Sequence, residues 1–246
     1  MRNFKLTIEY DGGRYAGWQR LGRDESSNTI ENKITDVLCK MLNHPVELFA
    51  GMRTEKGVHA YGQVANFKCE TDVSCMDIMH YLNRYLPRDI AVTSVVEMPE
   101  RFHASLNAKS KTFVYRIDAN DVPDVFERNY RYYVFKKPDV KLMQEACSIL
   151  CGTHDFAKFT SARKNKSTIK NILDAKVLDD GCELQIVVKA NDFMHNMARY
   201  IFGCLLMIGS GELTINQFKD FLDGESDAGP EKMADTCGMF LLDIEY

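Results

Sequence analysis

Two hydrophobic periodicities alternate along this chain in a repeating order, and that order constrains the fold more than any other feature. Phe4, Leu6, Ile8 and Tyr10 alternate with polar residues, which predicts a strand. Ile30, Ile34, Val37, Leu38, Met41 and Leu42 follow at helical spacing, with Asn28 and Glu31 spaced as a capping box and Pro45 just beyond. Val46 to Ala50 reads as a buried strand, and Ala65, Phe67 and Cys69 alternate in the next. A second helix carries Ile78, Leu82 and Tyr85 and stops before Pro87; Ile90, Val92 and Val96 form a further strand. The order β-α-β-β-α-β is the ferredoxin-like unit.

The second half repeats that order with longer loops. Thr112 to Ile117 is a strand, and Val140, Met143, Cys147 and Leu150 mark a helix. Ile172 to Leu178 and Cys182 to Ala190 form a hairpin across Asp179-Asp180-Gly181. Phe193, Met197, Ile201, Leu205 and Ile208 mark a second helix, Thr214 and Gln217 cap a short extra one, and Met239 to Tyr246 supplies the last strand. The expected class is therefore α+β: two ferredoxin-like halves, 1–103 and 104–246, with mostly antiparallel sheets and a cleft between them. Only the order of elements repeats, not the sequence.

A loop in the first half concentrates the candidate chemistry. Gly51-Met52-Arg53-Thr54-Glu55-Lys56-Gly57-Val58-His59-Ala60-Tyr61-Gly62-Gln63 joins two strands that a hairpin could join with two to five residues. It sets an arginine, a carboxylate, a lysine and a histidine between glycines, the content of a functional loop. A second loop, Arg14-Tyr15-Ala16-Gly17-Trp18-Gln19-Arg20, holds the only tryptophan between two arginines. Its options are arginines stacked over a packed indole or contacts to a nucleic-acid backbone, with Arg14 and Arg20 as the cations.

Charge sharpens the choice of partner. The net charge of −4 speaks against indiscriminate nucleic-acid binding, yet two segments are basic with no acid among them. Arg101 to Ile117 carries Arg101, Lys109, Lys111 and Arg116; Phe156 to Leu173 carries Lys158, Arg163, Lys164, Lys166 and Lys170. Each alone reads equally well as solvated surface; together they suggest a directed anionic partner. Lys111 also precedes Tyr115, a tyrosine on a strand in this basic neighbourhood. His195 and Arg199 are four apart in the helical pattern, and Arg199, among apolar neighbours, calls for a partner charge.

Several classes are disfavoured. No Cys or His set has zinc spacing, so no metal is expected, and no phosphate-binding glycine loop, dinucleotide fingerprint or nucleophile elbow appears. No apolar run approaches the ~20 residues of a membrane span, and no signal-peptide core precedes the first strand. Of eight cysteines, Cys39, Cys69, Cys147, Cys182 and Cys204 fall at apolar positions, which suits reduced thiols in the cytoplasm.

Over nearly its whole length the chain resembles the tRNA pseudouridine synthase A family. The resemblance is carried by Glu9-Tyr10-Asp11-Gly12 with Gly17-Trp18-Gln19, Arg53-Thr54-Glu55-Lys56-Gly57-Val58-His59-Ala60 with Gln63, and Leu86-Pro87-Arg88-Asp89-Ile90. Further along come Phe102-His103-Ala104, Lys111 to Tyr115, Gly152 to Phe159, Asn191 to Gly203 and the ending Gly238 to Tyr246. It implies a cofactor-free isomerase that converts uridine to pseudouridine in the anticodon stem-loop of tRNA, working as a homodimer with the tRNA across both subunits.

Carried over, Glu55 stands where the family has its catalytic aspartate, Arg53 assists base flipping, Tyr115 stacks on the uracil and Arg199 pairs with the carboxylate. His59, Gln63, Lys111, Arg14 and Arg20 are the further substrate-binding candidates. Departures are Glu55 itself, Met52 for a small residue, Ser105 for arginine and Tyr200 for asparagine. Three readings stay open on these residues: an active isomerase, an RNA-binding paralogue impaired by the Asp-to-Glu change, and an interaction module whose basic segments are only surface.

Overall fold

In the computed structural model the described residues are 1–19, 26–161, 167–226 and 228–246. They form two compact units, Met1–Lys109 with Phe240–Tyr246, and Ser110–Met239.

The first unit follows the predicted order. Strand β1 (Arg2–Tyr10) is central and runs antiparallel to β3 (His59–Cys69) on one side and β4 (Ile90–Met98) on the other. Short β2 (Leu48–Ala50) pairs with β3, and β10 (Met239–Glu245) meets β3 in parallel at Phe240↔His59 and Leu241↔Ala60. Phe4, Leu6 and Ile8 send one face of β1 into the core, as their alternation dictates. Against the sheet lie α1 (Ile30–Leu42), which buries Ile30, Ile34, Val37 and Leu38, and α2 (Cys75–Tyr85), which buries Ile78 and Leu82.

Two boundaries differ from the sequence reading. Helix α1 is capped by Thr29, whose side chain accepts from Asn32 N–H, while Asn28 donates its side-chain amide to Arg14 O in the neighbouring loop. Strand β3 starts at His59 rather than at Val64. Its first residues pair with β1 (Tyr10↔Ala60) and with β10, partners that β2 could not reveal. The connecting loop thus shrinks to residues 51–58.

In the second unit β5 (Ser110–Asp118) pairs with β9 (Glu183–Ala190), β9 with β8 (Ile169–Asp179) and β8 with β7 (Gly152–Asp155), all antiparallel. A two-residue strand, β6 (Tyr132–Tyr133), lies parallel to the end of β5. Helices α3 (Val140–Leu150), α4 (Met197–Ser210) and α5 (Ile215–Asp223) complete it, the last with the predicted Thr214–Gln217 capping box. Helix α4 begins only after Asn196, which adopts φ 62°. His195 therefore precedes the helix, and the predicted shared face with Arg199 does not form. All eight cysteines are unpaired, and Cys182 is exposed at the hairpin turn instead of buried.

A buried pair of asparagines closes the first unit. Asn3 and Asn66 are 1% and 0% exposed; Asn66 Nδ2 donates to Asn3 Oδ1 at 2.9 Å, and Asn66 Oδ1 accepts from Ala104 N–H at 2.8 Å. Asn3 Nδ2 donates to Phe102 O at 2.8 Å. Asn66→Ala strands the Ala104 amide and the Asn3 oxygen in the core. It should lower stability by about 2–3 kcal/mol, read as a lower urea midpoint at unchanged slope.

Candidate functional site

Backbone contact fixes the loop that carries Glu55 before any side chain acts on it. At Gly12 an added Cβ would lie 1.9 Å from Val58 O; at Gly17 (φ +109°) it would lie 2.9 Å from Thr54 O and 3.2 Å from Lys56 N. No other residue type permits this approach, because the space is already filled by main chain. Trp18 N–H donates to Thr54 O at 3.0 Å, and Val58 N–H turns back onto Glu55 O at 3.2 Å. The Trp18 loop is thus a brace for residues 54–58.

Side chains complete the brace from beneath. Tyr10 Oη and Thr54 Oγ1 are 2.7 Å apart, and Gln63 Nε2 reaches Tyr10 Oη at 3.3 Å. Gln63 also grips Met52 from both ends, donating to Met52 O at 2.7 Å and accepting from Met52 N–H at 3.3 Å. Gln63, fully buried, is spent on the loop's own backbone. Burial pushes the Tyr10 hydroxyl's pKa well up, and the nearby Glu55 charge pushes the same way. Tyr10 stays a neutral hydroxyl beside the carboxylate.

His59 is likewise interior. Its ring stacks on Phe240 at 4.7 Å, with Nδ1 3.1 Å from Gly12 N and 3.0 Å from Asp11 Oδ1. Unprotonated, Nδ1 accepts from Gly12; protonated, it faces Asp11. Above this base Glu55 is partly buried and Arg53 is exposed. Burial raises the carboxyl pKa of Glu31 on α1, and the Arg53 charge acts against that rise. Arg14 is directed elsewhere, ion-paired with Asp89, which also accepts from Tyr15 Oη at 2.7 Å. Arg20 lies outside the described residues, as do Arg163, Lys164 and Lys166.

The second unit brings Tyr115 and Arg199 into electrostatic range of each other. Tyr115 on β5 is fully buried and stacks on Phe202 of α4 at 5.4 Å and 17°. Its hydroxyl has no hydrogen-bond partner among the described residues. Burial, then Tyr132, Asp235 and Cys237, raise its pKa, and the Arg199 charge opposes them. Arg199 is half-buried and donates Nε–H to Ala234 O at 3.0 Å. The partner that the sequence called for is supplied here by a carbonyl.

Lys111 is paired at the far end of β5, 2.5 Å from Asp192, which Lys170 also approaches at 3.3 Å. Burial alone would raise the Asp192 carboxyl, but the two lysines hold it below the usual range. No group of three or more His, Cys, Asp or Glu among the described residues could hold a metal ion. Sequence reasoning missed the load on Gly12 and Gly17, whose signal was only their glycine identity. It also missed Phe202 and Ala234, which carry no signal at all.

Comparison with known proteins adds the chemistry. A family model described as tRNA pseudouridine synthase matches residues 6–107 and 146–246. The chain is 40% identical over 247 residues to a tRNA pseudouridine synthase A 2 of Bacillus cereus, covering 100% of both. It is 38% identical over 238 residues to tRNA pseudouridine synthase A 2 of Clostridium perfringens, covering 96% of this chain and 95% of that one. With tRNA pseudouridine synthase A 1 of Clostridium tetani it shares 38% over 247 residues and 100% of each chain.

The brace makes a structural prediction of its own. Gln63→Leu keeps the volume but strands both backbone groups of Met52. Amide exchange from Met52 to Lys56 should quicken at least about tenfold while the β1–β4 amides stay protected. Unchanged exchange in the loop would show that Gln63 does not hold it.

Proposed function

We infer the site's division of labour from one premise: the chain belongs to the tRNA pseudouridine synthase A family and isomerises uridine to pseudouridine in tRNA. The reaction moves one base on one sugar. The C1′–N1 bond breaks, the uracil turns, a C5–C1′ bond forms, and C5 gives up a proton as N1 gains one. No oxidant or reductant is consumed. What it needs is a carboxylate at the sugar, a pocket that keeps the detached uracil, and protein groups that replace the helical stack, whose loss costs a few kcal/mol.

Glu55 takes the first task, as nucleophile at C1′ or as base on the sugar. The observation that carries this is the brace: a partly buried carboxylate on a loop held by two glycine contacts and the Tyr10–Thr54–Gln63 network. Such rigidity is what positioning a reacting group to within an ångström demands. Exposed Arg53 on the same loop enters the RNA helix as the base leaves. Buried His59 and Gln63 serve the substrate indirectly, by holding the loop.

Tyr115 is the stacking ring for the uracil, kept flat by Phe202; because it is buried, entry of the base requires the groups that cover it to part. Arg199 is the cation that pairs with the carboxylate in the RNA complex. Lys111 helps through Asp192, Arg20 contacts the phosphate backbone, and Arg14 does so only on leaving Asp89. We assign the anticodon stem-loop as target, a homodimer as the working form and the cytoplasm as its location, expectations that follow from the resemblance. Among the described residues no helix is long and apolar enough to cross a membrane.

The test uses unmodified tRNA and mapping of pseudouridine. Glu55→Gln should cut turnover at least about 10³-fold with tRNA affinity within about threefold, because the amide keeps the size but cannot attack or take a proton. Glu55→Asp should lose about 10–100-fold, since the shorter side chain withdraws the carboxylate by roughly 1 Å from where this loop delivers it. Full turnover by Glu55→Gln would remove Glu55 from the chemistry. A gain with Glu55→Asp would mark the natural site as disabled.

A further inference from the structure

A helix position alone does not aim an arginine, because the guanidinium hangs on a long, freely rotating stem. Arg199 is nevertheless aimed, and by a single residue. Ala234 N–H donates to Arg199 O at 2.9 Å, and Arg199 Nε–H donates back to Ala234 O at 3.0 Å. Main chain and side chain of Arg199 are thus both tied to Ala234. The next residue, Asp235, bears on Tyr115 together with Arg199.

The strap that carries these groups also comes close to α4 at Gly203. Gly203 lies four residues beyond Arg199 on the same helical face, where a Cβ would sit 2.3 Å from Lys232 O, 3.1 Å from Lys232 C and 3.2 Å from Ala234 N. Gly203 is absent from the positive-φ residues, so its backbone conformation does not call for glycine. Inside a helix glycine is also an unfavourable choice. The close approach of the strap is the physical reason for it.

We propose that Gly203 is a positioning residue for the isomerisation: its missing side chain lets residues 232–235 close on α4 and fix the Arg199 guanidinium. This rests on the reading of Arg199 as the cation that works with the carboxylate. A methyl group at 203 must move Lys232 O outward by about 1 Å to reach an ordinary contact, and the Ala234 carbonyl moves with it. A misplacement of that size costs up to ~100-fold when the displaced group acts on the reacting atoms.

The experiment is a double-mutant cycle on the full chain with unmodified tRNA, using Gly203→Ala, Arg199→Ala and both together. Gly203→Ala should lower kcat by about 10–100-fold and change KM less than about threefold. In the Arg199→Ala background it should change kcat less than about twofold, because the group it misplaces is gone. An equal loss in both backgrounds, or no loss from Gly203→Ala alone, overturns the proposal. A silent Arg199→Ala overturns the underlying reading instead, an outcome told apart at once because it appears without any change at 203. If Gly203→Ala does not fold by circular dichroism, Ala234→Pro takes its place. It removes the amide that binds Arg199 O while leaving Gly203 intact, and the same dependence on Arg199 is expected.

Discussion

The approach of two main-chain segments, Gly12–Trp18 and Thr54–Val58, is the contact on which the position of the Glu55 loop depends. Side-chain contacts can slide through rotamers, but a carbonyl wedged where a Cβ would stand cannot. With 1.9 Å between a hypothetical Gly12 Cβ and Val58 O, the loop has one depth relative to β1, and Gly17 repeats the constraint half a loop away. The Trp18–Thr54 hydrogen bond then sets the loop's rotation. A carboxylate carried on such a frame loses little further freedom when substrate arrives, which is how preorganisation lowers a barrier.

The second unit meets the same demand by other means. Tyr115 is oriented by a stacked ring, and Arg199 by a strap that clasps its side chain and its backbone. Stacking of Tyr115 on Phe202 constrains tilt but tolerates sliding. An arginine stem needs a tighter hold, and a bond to Nε leaves the outer nitrogens of the guanidinium outside that bond.

Much of this fold could be read from the sequence because alternation and helical spacing report burial, and burial made β1, α1, α2, β5, β8 and β9. The Thr214–Gln217 cap was legible because its two side chains answer each other across one turn. The failures share a cause. The start of β3 at His59 depends on β1 and β10, and the loss of Asn28's capping role depends on Arg14 O. Local patterns carry no record of partners far along the chain. In the site, residue types pointed alike to Glu55, Arg53, Tyr115, Arg199, Gln63 and His59, because polarity is visible in a sequence and the burial of Gln63 and His59 is not.

That distinction bears on Glu55 itself. A loop whose depth is set by glycine contacts cannot easily retract to absorb an added methylene, so the longer side chain must be accommodated by its own torsions or by its neighbours. Met52 is one such neighbour, buried directly before Arg53 with both backbone groups held by Gln63. The buried Met52 side chain and the Gln63 bonds hold the loop's entry, and the glycine contacts at Thr54 and Val58 hold its far end. Between those two limits, a carboxylate one methylene longer and a bulkier residue three positions earlier are changes of the same kind. Both bear on the distance from braced backbone to the Glu55 carboxylate.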